Sequence, residues 1–228
     1  MTEFRYAQFC PLARAAEVVG ERWTLLIVRE LLVGPQRFSD LHRRLPGVSP
    51  SVLTERLERI ERRGLVRRSF LPPPAASTVY ELDAAGVALL PAMIELARWG
   101  IRFLLPAVEG DHFEPDWLRM ALRAFASRST APAKVYELQI GFGDERFVAT
   151  ITGGAQGTEV RDGAAPDADA RITFAPHVLL GLAAGVLTAD EVKRSGEASV
   201  EGDGDALTLL PRFFEIAPNR PISSASSL

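Results

Sequence analysis

Nine arginines fall within residues 37–68, against four acids. A guanidinium can bridge two acceptors of guanine or grip a phosphate, and a glutamate can accept from cytosine. The densest part is 49–64, Ser-Pro-Ser-Val-Leu-Thr-Glu-Arg-Leu-Glu-Arg-Ile-Glu-Arg-Arg-Gly. Its Leu53, Leu57 and Ile60 recur at i, i+4, i+7, which predicts a helix with one apolar stripe. Ser51, Glu55, Glu58, Arg59 and Arg62 then point away from the core, with Val52 and Arg56 on the flank. The candidate base-reading groups are Ser51, Val52, Glu55, Arg56 and Arg59, with Ser49 at the helix start. Arg37, Ser39, Arg67 and Arg68 stand nearby as candidate phosphate contacts. A solvated amphipathic helix is the plainer reading of the same stretch.

Other reactive groups are few. The single cysteine, Cys10, precedes Pro11 and so sits near a helix start, where free amides favour thiolate. It is a redox-sensing candidate, or a small buried side chain. His42, His112 and His177 have no His or Cys neighbour at ligand spacing, so no metal site is expected. No phosphate loop or nucleophile elbow occurs, and acidic pairs such as Asp190-Glu191 suit helix capping. Neither a cofactor nor catalysis is expected.

Composition sets the frame. Residues 1–103 hold 15 Arg and Lys against 11 Asp and Glu, whereas residues 104–228 hold 11 against 18. A polyanion would therefore meet the front half. One cysteine fits a reducing cytoplasm, and no apolar run is long enough to span a membrane.

The elements that must position these groups follow in order. Residues 11–33 read as two helices broken near Gly20, and 37–45 as a short third. Pro46-Gly47-Val48 turns into the 49–63 helix, capped by Ser49, with Pro50 at its first position and Gly64 ending it. Residues 65–70 and 77–82 alternate as strands around a proline loop. Together these make a winged helix-turn-helix. Asp83 caps a helix expected over 84–105 with a kink at Pro91, apolar on too many faces for one partner. Residues 106–115 read as a linker. Beyond it come a helix at 116–127, strands at 135–140 and 146–151 joined by a Gly-Phe-Gly-Asp turn, strands at 156–161 and 169–174, and helices at 176–184 and 189–194. A strand at 198–201, a closing helix at 207–216 and a flexible tail at 218–228 complete the chain.

Residues 10–99 resemble the HxlR-type winged-helix transcription regulators. The resemblance is carried by Cys10-Pro11, Trp23, Gly34, Arg37-Phe38-Ser39-Asp40-Leu41, Pro46-Gly47-Val48-Ser49, Leu53, Leu57, Gly64-Leu65-Val66, Arg68, Tyr80-Glu81-Leu82, Gly86, Pro91 and Trp99. It implies a homodimer on an inverted repeat of operator DNA, built through the helices that flank the winged helix. It also implies that a cysteine at position 10 senses oxidants in some members. Before the returning strand, where the family often carries Lys or Arg, this chain has Ala76-Ser77-Thr78. Residues 115–217 resemble a sterol-carrier-protein-like domain through the Ala168–Phe174 run, Leu179-Leu180-Gly181-Leu182 and Val200-Glu201-Gly202-Asp203. That resemblance implies a sheet covered by helices and an apolar tunnel for a lipid-like molecule.

The sequence therefore predicts an α+β protein: a winged-helix and dimerisation domain at 1–105, and a mostly antiparallel, helix-covered ligand domain at 116–217. Trp117, Phe147, Phe174, Leu179, Leu182, Leu187 and Phe213 are the candidate walls of an apolar cavity, or simply core. The expected function is a dimeric DNA-binding regulator controlled by a hydrophobic small molecule. The alternative is a lipid carrier whose winged helix serves only dimerisation.

Overall fold

The computed structural model describes residues 5–74, 76–104, 113–142 and 145–216. The chain divides into two compact units, Met1–Met93 and Ile94–Leu228.

In the first unit, α1 (Pro11–Val19), α2 (Thr24–Val33), α3 (Phe38–Arg44) and α4 (Pro50–Arg62) precede an antiparallel hairpin, β1 (Val66–Leu71) and β2 (Ser77–Leu82). Gln36 and Tyr80 exchange backbone hydrogen bonds of 2.9 and 2.8 Å, so the α2–α3 connection adds a third short rung beside the hairpin. Ile27 and Leu31 of α2, Leu41 of α3, and Leu53, Leu57 and Ile60 of α4 join Leu65 and Val66 in one buried cluster. That cluster fixes α4 against α2 and α3, which makes a helix-turn-helix with a wing. Glu30 of α2 is also fully buried, and Arg44 of α3 and Arg29 both bond to it, at 2.6 and 2.7 Å.

Asp83 accepts a hydrogen bond from the Ala84 amide at 2.8 Å and starts α5 (Ala84–Val87). The long helix expected over 84–105 is two helices, α5 and α6 (Leu90–Gly100), followed by a 3-10 turn at Ile101–Phe103. Pro91 explains the break: it has no N–H to give the carbonyl four residues back, at Val87. The ladder restarts at Leu89, whose carbonyl receives the Met93 amide. Gly86 is required where α5 crosses the start of the hairpin. A Cβ there would lie 2.2 Å from the Leu65 carbonyl oxygen.

In the second unit, α7 (Pro115–Phe125) leads into five strands: β3 (Val135–Phe142), β4 (Glu145–Gly154), β5 (Gly157–Asp162), β6 (Ala170–Phe174) and β7 (Ala198–Gly202). Between β6 and β7 come α8 (Pro176–Ala183) and α9 (Ala189–Ser195), and α10 (Ala206–Leu209) follows β7. The spatial order is β5-β4-β3-β6-β7, with β3 and β6 parallel and every other pair antiparallel. The mixed sheet and the helices match the α+β expectation. Tyr136, Leu138, Ile140, Ala149, Ile151, Ile172 and Phe174 line one face and pack under Leu118, Leu122, Phe125, Leu179, Leu182 and Phe213. The opposite face is polar: Glu137 takes hydrogen bonds from Gln139 and Arg171, each 2.8 Å, and from the Ala165 amide. Those donors, the Gln139 amide first, hold its carboxyl below the ordinary range.

Two local expectations differ from what is observed. The β3–β4 pairing continues to Phe142 and Glu145, so Gly141 and Phe142 belong to the strand and not to the turn. The closing helix of 207–216 stops as α10 and a 3-10 turn at Leu210–Phe213. Pro211 cannot donate within a helix. Phe214 then runs extended, bridging to Ala126. Next to it, the Glu215 carboxylate receives the Arg128 amide at 2.8 Å and the Ser127 and Ser129 hydroxyls at 3.0 Å. Most of the expected linker and all of the expected tail lie outside the described residues.

Candidate nucleic-acid interface

α4 owes its definition to its ends. The Ser49 hydroxyl accepts from the Val52 amide at 3.3 Å, and Pro50 takes a first position that needs no donor. At the other end Gly64 adopts a left-handed φ of 72°. The Leu65 amide reaches back to the Ile60 carbonyl and the Gly64 amide to that of Glu61, closing the helix in a Schellman arrangement. Leu53, Leu57 and Ile60 are buried as the spacing required. Ser49, Pro50, Ser51, Thr54, Glu58 and Arg62 are exposed, with Val52 and Glu55 half-buried beside them. Thr54 is thus a member of the outer stripe that the sequence reading passed over. It lies three residues after Ser51, a spacing that could have found it.

The arginines named from sequence are at the surface of this unit but engaged. Arg37 donates to the Ser77 hydroxyl at 2.9 Å and so ties the start of α3 to the wing. Arg67 pairs with Glu81 across the hairpin at 3.2 Å. Arg68 bonds Glu61 at 3.0 Å and lies over the Tyr80 ring. Ser39 is exposed on α3. Arg56 and Arg59 do not stand out from α4. Both fold back onto Glu21 in the α1–α2 connection, and Arg59 also reaches Glu55 at 3.3 Å. Their side chains are 17% and 16% exposed. Glu21 was not visible from sequence, because an acid in a loop 35 residues from its partner has no local signature.

The HxlR-like helix-turn-helix family matches residues 18–107. The HTH-type transcriptional regulator YvaP of Bacillus subtilis (strain 168) is 36% identical over 102 residues, which are 44% of this chain and 94% of YvaP. The chain belongs to the HxlR-like helix-turn-helix family. A second relative of this HxlR-like chain, the HTH-type transcriptional regulator YodB of the same organism, is 34% identical over 98 residues, 42% of this chain and 88% of YodB. The reduced form of YodB has a solved structure that covers 44% of this chain and 100% of its own, at 32% identity and a TM-score of 0.38.

Ahead of the matched residues, Cys10 is half-buried at the cap position of α1, its backbone extended, and its side chain makes no capping hydrogen bond. In the second unit Phe147, Phe174, Leu179, Leu182 and Phe213 are buried members of one apolar core, while Trp117 and Leu187 are half-buried. A cleft of about 370 Å³ opens elsewhere, among Gln139, Arg146, Thr173, Glu197 and Ser199, and of the seven expected wall residues only Phe174 lines it. No group of three His, Cys, Asp or Glu that could hold a metal ion occurs among the described residues. No described helix is long and apolar enough to cross a membrane.

Proposed function

We propose that this chain is a sequence-specific DNA-binding transcription regulator that acts as a homodimer. The observation that carries the reading is α4, capped at both ends, held by the buried cluster, and offering Ser51, Thr54, Glu55 and Glu58 to a major groove. Arg37, Ser39, Arg67 and Arg68, exposed around it, would seat the unit on phosphates. Its relatives carry the name of transcriptional regulators, which agrees. The test is binding of the purified chain to a random-sequence duplex library across a salt series. A regulator enriches particular sequences, and the logarithm of its affinity falls linearly with log salt. A chain that enriches nothing, with no salt dependence, would be the carrier protein of the alternative reading.

The domain bounds proposed are 1–105 and 116–217, the second of sterol-carrier-like type. The order helix, three-strand meander, parallel fourth strand, two helices, fifth strand, closing helix supports that type. Control by a hydrophobic molecule is the outermost part of the proposal. Such a molecule would have to part Phe147, Phe174, Leu179, Leu182 and Phe213, which now pack in one core. Native mass spectrometry of the purified chain decides it: a co-purified apolar mass supports ligand control, and a bare protein that also takes up no added fatty acid removes it.

A further inference from the structure

Two arginines of α4 are largely withheld from solvent. Arg56 and Arg59 stand three residues apart on one flank of α4, and one carboxylate, Glu21, takes a guanidinium nitrogen of each. Glu55 lies 3.7 Å from Arg56 and 3.3 Å from Arg59. Two cations face two anions, so this flank of the recognition helix carries no net charge. The group is also partly withdrawn from water, with Glu21 27% exposed and the arginines less.

A second acid shared by two arginines, Glu30, is a contact of a different kind. Glu30 is fully buried and its two oxygens are divided between Arg29 and Arg44, a structural knot. At Glu21 the match is incomplete. Among the described residues the Nε atoms of both Arg56 and Arg59 are buried without an acceptor. An unmatched buried donor weakens the seating of the whole group. The pairs are therefore close enough to withhold the arginines and poorly enough satisfied to be exchanged.

From this we infer, on the DNA-binding reading above, that Glu21 is a specificity-determining residue. Its carboxylate competes with DNA for Arg56 and Arg59. On an arbitrary sequence the phosphates offer one screened charge at a time, and the arginines stay on Glu21. On the correct sequence a guanine edge presents two acceptors to one guanidinium, where Glu21 gives each arginine a single oxygen. Discrimination then comes from an internal repulsive element as much as from the attractive contact. Glu21 touches no base itself and acts through the two arginines.

The experiment compares full-length wild type with Glu21→Gln on two duplexes: one enriched by the wild type from a random library, and a scramble of the same composition. Glu21→Gln is expected to bind the scramble about tenfold more tightly, with a log–log salt slope steeper by about 0.9–1.8 as one or two arginines reach phosphates. Affinity for the enriched duplex changes less, so the ratio between the two falls. In the triple variant Glu21→Gln, Arg56→Gln, Arg59→Gln the gain on the scramble disappears. Unchanged or weaker binding of the scramble by Glu21→Gln overturns the inference, as does a gain that survives in the triple variant. If Glu21→Gln and Glu21→Asp both fail to fold by circular dichroism, the acid is a brace and the inference is overturned too. Failure of the underlying reading looks different: the wild type itself then enriches no duplex, and the inference falls with it.

Discussion

Glu215 is a single side chain on which the end of the second unit depends. The Arg128 amide and the Ser127 and Ser129 hydroxyls stabilise its charged form and pull its carboxyl down to about 2, from an ordinary 4.5. A carboxyl depressed on folding gives stability that is fully present above the unfolded value and is lost as pH falls through the folded one. The second unit should therefore weaken as pH drops from about 4.5 toward 2, and Glu215→Gln should flatten that part of the profile in urea melts taken at successive pH values. A variant with the wild-type slope over that window would show that the carboxylate contributes nothing. Gly86 makes the opposite kind of demand, for space. An added Cβ meets the Leu65 oxygen at 2.2 Å and Leu82 at 2.9 Å, so Gly86→Ala should lower stability by about 1–3 kcal/mol through overpacking. An unchanged denaturant midpoint would refute it. At this scale sequence found the residue types but not their partners. Arginines 56 and 59 were legible as polar helix positions, whereas their engagement by Glu21 depends on how the α1–α2 connection is aimed, which no spacing along α4 records.

α4 was legible almost to the residue because its boundaries are chemical. Ser49, Pro50 and Gly64 each supply what a helix end lacks. Removing one such group gives a prediction: Ser49→Ala should cost about 1 kcal/mol, read as a fall in the urea midpoint of the first unit. Equal midpoints would mean that the 3.3 Å contact to Val52 is not a working cap. The two helices that sequence misjudged share one cause, proline inside an apolar run. Periodicity joined 84–105, with a kink at Pro91, and 207–216 into single helices. Pro91 and Pro211 divide or end them, because each withholds the N–H that the turn before it needs. The β3–β4 turn was misjudged differently, since two glycines read as loop where the pairing in fact continues past Gly141.

For the whole molecule, composition and charge anticipated a basic front and an acidic back, and residues 18–107 fall in the expected family. An apolar surface is left open beyond α5. Leu96 and Trp99 on α6, then Phe103 and Leu104, are exposed, with Trp99 and Phe103 in edge-to-face contact at 5.0 Å. Tyr6, Phe9 and Leu12 at the front of the chain are exposed as well. If these patches are the dimer contact, Leu96→Glu with Trp99→Glu should raise the dimer dissociation constant by about thirtyfold or more, the scale of a lost hot spot. Light scattering at micromolar concentration would register a monomer, and an intact dimer would place the contact elsewhere. The far end of the second unit has a consequence in the order of synthesis. Phe213, Phe214 and Ile216 are core residues, and the Glu215 amide bonds the Phe125 carbonyl at 2.7 Å, so the last described segment locks the end of α7. On a ribosome adding ~5–20 residues per second, the winged helix can close while most of the second unit is still unmade. The second sheet, by contrast, waits with the cover of its apolar face incomplete until residue 216 has emerged, and that interval is when a nascent chain of this kind has most need of a chaperone.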